Sequence, residues 1–124
     1  MLPTVTGPDD AVMFDIDDTL IESSTGKVIR DIYDLYKNAQ KKGYRMIIIT
    51  ARPGFYKNVL WTRDQLRNID ISYDELVFTP PLGKSLYKRA SNYNYVLSVG
   101  DIDTDLTDSK YSIKVSNVHH TRGK

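Results

Sequence analysis

Short runs of apolar and β-branched residues alternate along this chain with longer segments whose apolar positions recur every three or four residues. Five runs predict strands: Val12 to Ile16, Arg45 to Thr50, Leu76 to Thr79, Tyr95 to Val99 and Ser112 to Val115. Between them the helical period predicts one helix with Ile32, Leu35, Tyr36 and Ala39 on a single stripe. It ends at Lys41-Lys42-Gly43, where cations face the helix C-terminus and glycine suits the cap. A second helix, from about Tyr56 to Asn68, carries Val59, Leu66 and Ile69. A third begins near Gly83 and is expected to turn Leu86, Tyr87, Ala90 and Tyr93 inward, and Asp105 to Lys110 suits a short fourth turn. Alternation of this kind predicts an α/β fold, a mostly parallel five-stranded sheet flanked by helices.

At 124 residues the chain suits one domain spanning 1–124, with its core at about 11–117 and frayed, polar ends. No repeat or Pro/Gly/Ser linker divides it. Seventeen Lys and Arg against 16 Asp and Glu leave a net charge of +1, too little for a global field toward nucleic acid or a membrane surface. The absence of cysteine excludes disulfides, thiolate catalysis and Cys-ligated zinc. Neither a signal-like leader nor a membrane-length apolar run is present, so a cytoplasmic location is expected. His119-His120, in a polar basic tail, reads as solvated.

The candidate chemistry lies just after the strands. Asp15-Ile16-Asp17-Asp18-Thr19 follows the apolar Ala11-Val12-Met13-Phe14. Extended-chain alternation would send Asp15 and Asp17 to the same side and Asp18 elsewhere. Two close carboxylates repel unless a cation lies between them, which suggests a hard divalent ion such as Mg²⁺; an acidic helix-capping turn is the plain alternative. Thr50-Ala51-Arg52 follows the second strand, Lys84 opens the helix after the third, and Gly100-Asp101-Ile102-Asp103-Thr104-Asp105 follows the fourth. Open α/β sheets bind ligands at these strand ends. The spacing of Asp101, Asp103 and Asp105 also starts like a calcium loop, but the glycine and glutamate that complete an EF-hand are missing.

In this order, Asp15-x-Asp17-x-Thr19, Thr50, Lys84 and Gly100-Asp101-x-x-x-Asp105 resemble the haloacid dehalogenase superfamily of aspartate-dependent phosphohydrolases, over residues 11–117. Thr50-Ala51-Arg52-Pro53, Tyr73-Asp74-Glu75-Leu76 and the stretch from Gly100-Asp101 to Val115-Ser116-Asn117 are similar to class B and plant-type acid phosphatases. They are similar, too, to the phosphatase domains of polynucleotide kinase-phosphatases. The resemblance implies that Asp15 is the nucleophile and Asp17 the general acid-base. It places Thr50 and Lys84 on the phosphate oxygens, and Mg²⁺ on Asp15, the Asp17 backbone carbonyl and Asp101, with Asp105 either supporting those ligands from behind or serving as an alternate metal ligand.

Members of that superfamily usually carry a cap domain in one of two intervals. Here Leu20 to Arg30 fits only a small flap, and Pro80-Pro81-Leu82-Gly83 has no room for a domain. The expected substrate is therefore a phosphorylated small molecule, a nucleotide or a nucleic-acid end admitted to an open site, in a chain compatible with homo-oligomerisation. Arg52, with Phe55 and Tyr56 nearby, is a candidate for substrate binding through a second phosphate or a base; core packing of these aromatics is the plain alternative. The expected activity is Mg²⁺-dependent phosphomonoester hydrolysis. Phosphotransfer to an alcohol, or a non-catalytic receiver-like phosphate-binding module, remains as an alternative. In receivers the phosphorylated Asp follows the third strand, where this chain has Thr79-Pro80-Pro81.

Overall fold

The computed structural model describes residues 2, 3, 5 and 7–115; His119-His120 and the tail from Asn117 lie outside the described residues. Five parallel strands, β1 (Asp10–Phe14), β2 (Arg45–Thr50), β3 (Glu75–Phe78), β4 (Asn94–Gly100) and β5 (Tyr111–Lys114), form one sheet in the order β3-β2-β1-β4-β5. Between them lie α1 (Arg30–Lys41), α2 (Tyr56–Asn68) and α3 (Gly83–Ala90), with a 3-10 turn at Asp103–Asp105 before β5. Among the described residues, no helix is long and apolar enough to cross a membrane.

Strand alternation sorts the core into two layers. Val12, Phe14, Met46, Ile48 and Val99 face α1 together with Ile32, Tyr36 and Ala39, and Leu66 of α2 joins them. Ala11, Met13, Ile47 and Ile49 face the other way, toward Tyr87 and Tyr93. Right-handed crossovers account for the division: the chain moves outward from β1 to β3 with α1 and α2 on one face, then returns across the sheet through α3 on the other. Burying β1 and β2 on both faces requires near-continuous apolar strands, as their sequences provide.

The α3 expectation needs correction. Leu86 is 64% exposed and Ala90 is exposed too, whereas Lys84 and Lys88 are the buried residues of this helix. Lysines take the inward face because folding supplies oxygen partners there. Lys88 Nζ donates to Ser98 Oγ (3.0 Å) and to the carbonyls of Asp105 and Thr107 (both 2.7 Å). Three acceptors match the three donors of an ammonium group. Burial nevertheless pulls the Lys88 ammonium down to about 8, against the upward pull of Asp108 and Asp105.

Candidate active site

Order β3-β2-β1-β4-β5 reverses its winding direction between β1 and β4, so the crevice beyond their C-terminal ends is the expected ligand position. Asp15 follows β1 directly and stays within the parallel ladder, its amide donating to Val99 O at 3.0 Å. Asp101 follows β4. Gly100 allows the Asp105 loop to fold back over the strand end, because a Cβ there would overlap the Asp105 side chain. Gly83 plays the same part for α3, where a Cβ would overlap Thr79 Oγ1. The helix can therefore start close to β3 and bring Lys84 across the sheet edge.

These close approaches assemble a buried polar cluster. Lys84 Nζ donates to Asp15 Oδ1 at 3.1 Å and, at a shorter distance, to Asp105 Oδ1. Lys84 is 1% exposed and Asp105 is 0% exposed. Carboxylate oxygens of Asp15, Asp101 and Asp105 lie within 4.8 Å of one another. Hard divalent cations take such all-oxygen donor sets, and a single lysine does not neutralise three acids, so the cluster could hold a metal ion of that kind.

Burial pushes the Asp15 carboxyl up to about 7; Lys84 opposes the rise and Asp105 adds to it. Burial also raises Asp101, with a hydrogen bond shared with Asp15 acting in the opposite direction. For Lys84, burial pulls downward, but Asp15 and Asp105 outweigh it and the ammonium is held above its usual range. The raised Asp15 value has a consequence for stability. Folded chains hold the Asp15 proton more tightly than unfolded chains, whose value is 3.8, so this contribution is full below pH 3.8 and is lost as pH rises to about 7. In chelator, urea stability is expected to fall across that window. A divalent ion held by these acids would have to displace the same proton, so its affinity should weaken roughly tenfold per pH unit below 7. Calorimetric Mg²⁺ titrations between pH 5.5 and 8 check the affinity, and a flattened stability slope in Asp15→Asn assigns the effect to this carboxyl.

The remaining predicted residues take different positions. Thr50 ends β2, fully buried, and its Oγ1 accepts from the Arg52 amide at 3.1 Å. The Asp17 carboxylate, 41% exposed, is held by Arg52 in a bidentate pair: Nε to Oδ2 at 2.9 Å and Nη2 to Oδ1 at 2.8 Å. Arg52 also donates to Thr62 Oγ1 at 3.1 Å, and its guanidinium lies over the Trp61 ring, 5.0 Å from the centroid. Asp18 sits in the left-handed region with φ of 60° and accepts from Ser23 N at 2.9 Å and Ser23 Oγ at 2.8 Å. These bonds tie down a flap in which Ile21 pairs with Val28.

Lys88 and Trp61 escaped the sequence reading as parts of this neighbourhood. The i, i+4 spacing of Lys84 and Lys88 was the available signal, since it puts both on one face of α3. Trp61, the single tryptophan, reads from the sequence as a packing residue rather than a recognition residue, yet it is 59% exposed, and its relation to Arg52 depends on how the 51–55 loop turns.

Fold and site together define a doubly wound α/β domain with a buried acidic cluster, tied to one lysine, at the topological switch point. Among solved structures, the chain is similar to one from the Pnkp1/Rnl/Hen1 complex, with a TM-score of 0.67 and 19% identity over 92% of this chain and 48% of that one. The likeness is one of fold, and this chain spans about half the length of that neighbour. No protein-family model and no curated protein matches the chain.

Proposed function

We propose that this domain is a Mg²⁺-dependent phosphomonoester hydrolase of the haloacid dehalogenase type, with Asp15 as the nucleophile. The observation carrying this reading is the placement of Asp15 at the switch point, buried against Lys84 and grouped with Asp101 and Asp105. A receiver-like module is less well supported. Flavodoxin-like receivers have strand order 2-1-3-4-5, whereas β3 here is an edge strand followed by Thr79-Pro80-Pro81.

In the proposed reaction an Asp15 carboxylate oxygen attacks phosphorus in line, the bond from phosphorus to the ester oxygen breaks, and an aspartyl-phosphate forms. For this step Asp17 leaves its ion pair with Arg52 and takes up a proton, which it gives to the departing oxygen. It then takes one from the water that attacks the aspartyl-phosphate, which restores Asp15 and releases phosphate. Lys84 and Thr50 hold the phosphate oxygens by charge and hydrogen bonding, and the two-bond pair with Arg52 favours Asp17 as the carboxylate that accepts the water's proton in the second half of the cycle. The carboxylates of Asp15, Asp101 and Asp105 and the Asp17 carbonyl would hold Mg²⁺, which supplies charge neutralisation between the carboxylate and the phosphate. The neighbour's place in a complex named for Pnkp1, Rnl and Hen1 is compatible with a nucleotide or nucleic-acid-end substrate. The small flap leaves room for one.

Assays against phosphorylated metabolites, nucleotides, and 3′- and 5′-phosphorylated oligonucleotides test the reading. Asp17→Asn is expected to lower turnover of alkyl phosphates by roughly 10²-fold. An aryl phosphate with a good leaving group should lose much less, and Mg²⁺ affinity should be nearly unchanged. Equal losses for both esters, or a collapse of metal affinity, would remove Asp17 from acid-base duty.

A further inference from the structure

Beside the acidic cluster lies a groove of about 250 Å³ lined by Asp17, Arg52, Pro53, Asn58, Trp61 and Thr62. We propose that this groove is the leaving-group subsite and takes a nucleobase, with Trp61 as its stacking platform. The inference rests on the reading of Asp17 as the residue that protonates the departing oxygen. Whatever that oxygen carries must then lie on the Asp17 side of the phosphate, and the groove begins there.

The walls indicate what it carries. Trp61 is 59% exposed, and Phe55 and Tyr56, six and five residues earlier in the chain, are exposed as well. Large aromatics left open to solvent are not held there by core packing, and Trp61 is the one of the three that lines the groove. Arg52 lies against the indole and is itself fixed by Asp17 and Thr62, so the ring is held in place before any ligand arrives. A preset ring stacks on a planar group with little loss of freedom. Asn58 adds an amide with both donor and acceptor atoms, suited to the edge of a base. Arg52 spends its fork on Asp17, which argues against its reading a second phosphate and leaves stacking as the source of selectivity. A phosphotyrosine ring would stack too, but it has no polar edge for Asn58 to meet.

Trp61 is the single tryptophan of the chain, so its fluorescence reports on this groove alone. In the Asp15→Asn variant with Mg²⁺, adenosine 5′-monophosphate and a 5′-phosphorylated trinucleotide are expected to quench it saturably, whereas ribose 5-phosphate should not. Comparing the affinities of the first two distinguishes a mononucleotide from a nucleic-acid end as the source of the base. With the otherwise unaltered chain, the ratio of kcat/KM for adenosine 5′-monophosphate to that for ribose 5-phosphate should fall about tenfold in Trp61→Ala and be largely kept in Trp61→Phe. Loss of Arg52 support would affect both substrates alike, so the ratio isolates stacking. Hydrolysis without nucleotide quenching, an unchanged ratio, or stronger quenching by O-phosphotyrosine than by the nucleotide would overturn the nucleobase subsite and leave the phosphatase reading intact. Saturable nucleotide quenching in a chain that hydrolyses no phosphomonoester would sustain base binding and overturn the phosphatase reading instead.

Discussion

Asp15→Asn is expected to abolish phosphomonoester hydrolysis, leaving less than about one hundredth of wild-type turnover even on activated aryl phosphates. An amide can fill the space and accept from Lys84, but it cannot form the acyl phosphate. The substitution also removes one anion from a cluster of three neighbouring acids, two of which share Lys84, so the fold should survive and the variant should be at least as stable as wild type near pH 8. This combination separates a chemical role from a structural one. Steady-state rates with Mg²⁺ and with chelator, together with urea unfolding, make the measurement. Hydrolysis persisting in chelator, or a variant retaining a tenth of its turnover, would remove Asp15 as the nucleophile.

Lys84→Met should be the most destabilising conservative change in the domain. The ammonium is the cation shared by Asp15 and Asp105, and both acids are buried. Removing one partner of such a pair leaves charge without compensation and costs about 3–5 kcal/mol, a large part of the roughly 5–15 kcal/mol that holds a domain of this size. Two conditions should reduce the deficit. Low pH allows Asp15 to hold a proton, which burial already favours and which the loss of Lys84 favours further. Saturating Mg²⁺, if held as proposed, would supply a replacement positive charge at the same acids. Urea melts at pH 5.5 and 8, with and without Mg²⁺, test this account. A deficit independent of both variables would mean that the Lys84 stem contributes by packing and that its charge does not matter to the fold.

Much of the local structure was legible because burial periodicity is a property of neighbouring residues. The bounds of β2 and α2 agree with the apolar pattern over Arg45 to Thr50 and Tyr56 to Asn68, and the other strands lie within one or two residues of their expected positions. Motif order likewise singled out Asp15, Lys84, Asp101 and Asp105, which the fold brings together, because ligand positions at strand ends follow from the α/β pattern itself.

Pairing was not legible in that way. Hydrophobic periodicity marks Leu86 as an inward residue, yet α3 turns Lys84 and Lys88 to the interior because strand ends and the 101–108 loop, distant in sequence, present oxygens there. Position in the chain makes Arg52 a candidate for binding substrate through a second phosphate or a base, but its closest acceptors are the two oxygens of Asp17, 35 residues earlier. The sequence by itself determined the elements, the layers they build and the edge at which the polar residues emerge, since these follow from short-range pattern and the handedness of crossovers. Only the tertiary structure decided which acid meets which cation and which aromatic stays in solvent. Those outcomes depend on desolvation and on distances between segments far apart in the chain, neither of which any local spacing encodes.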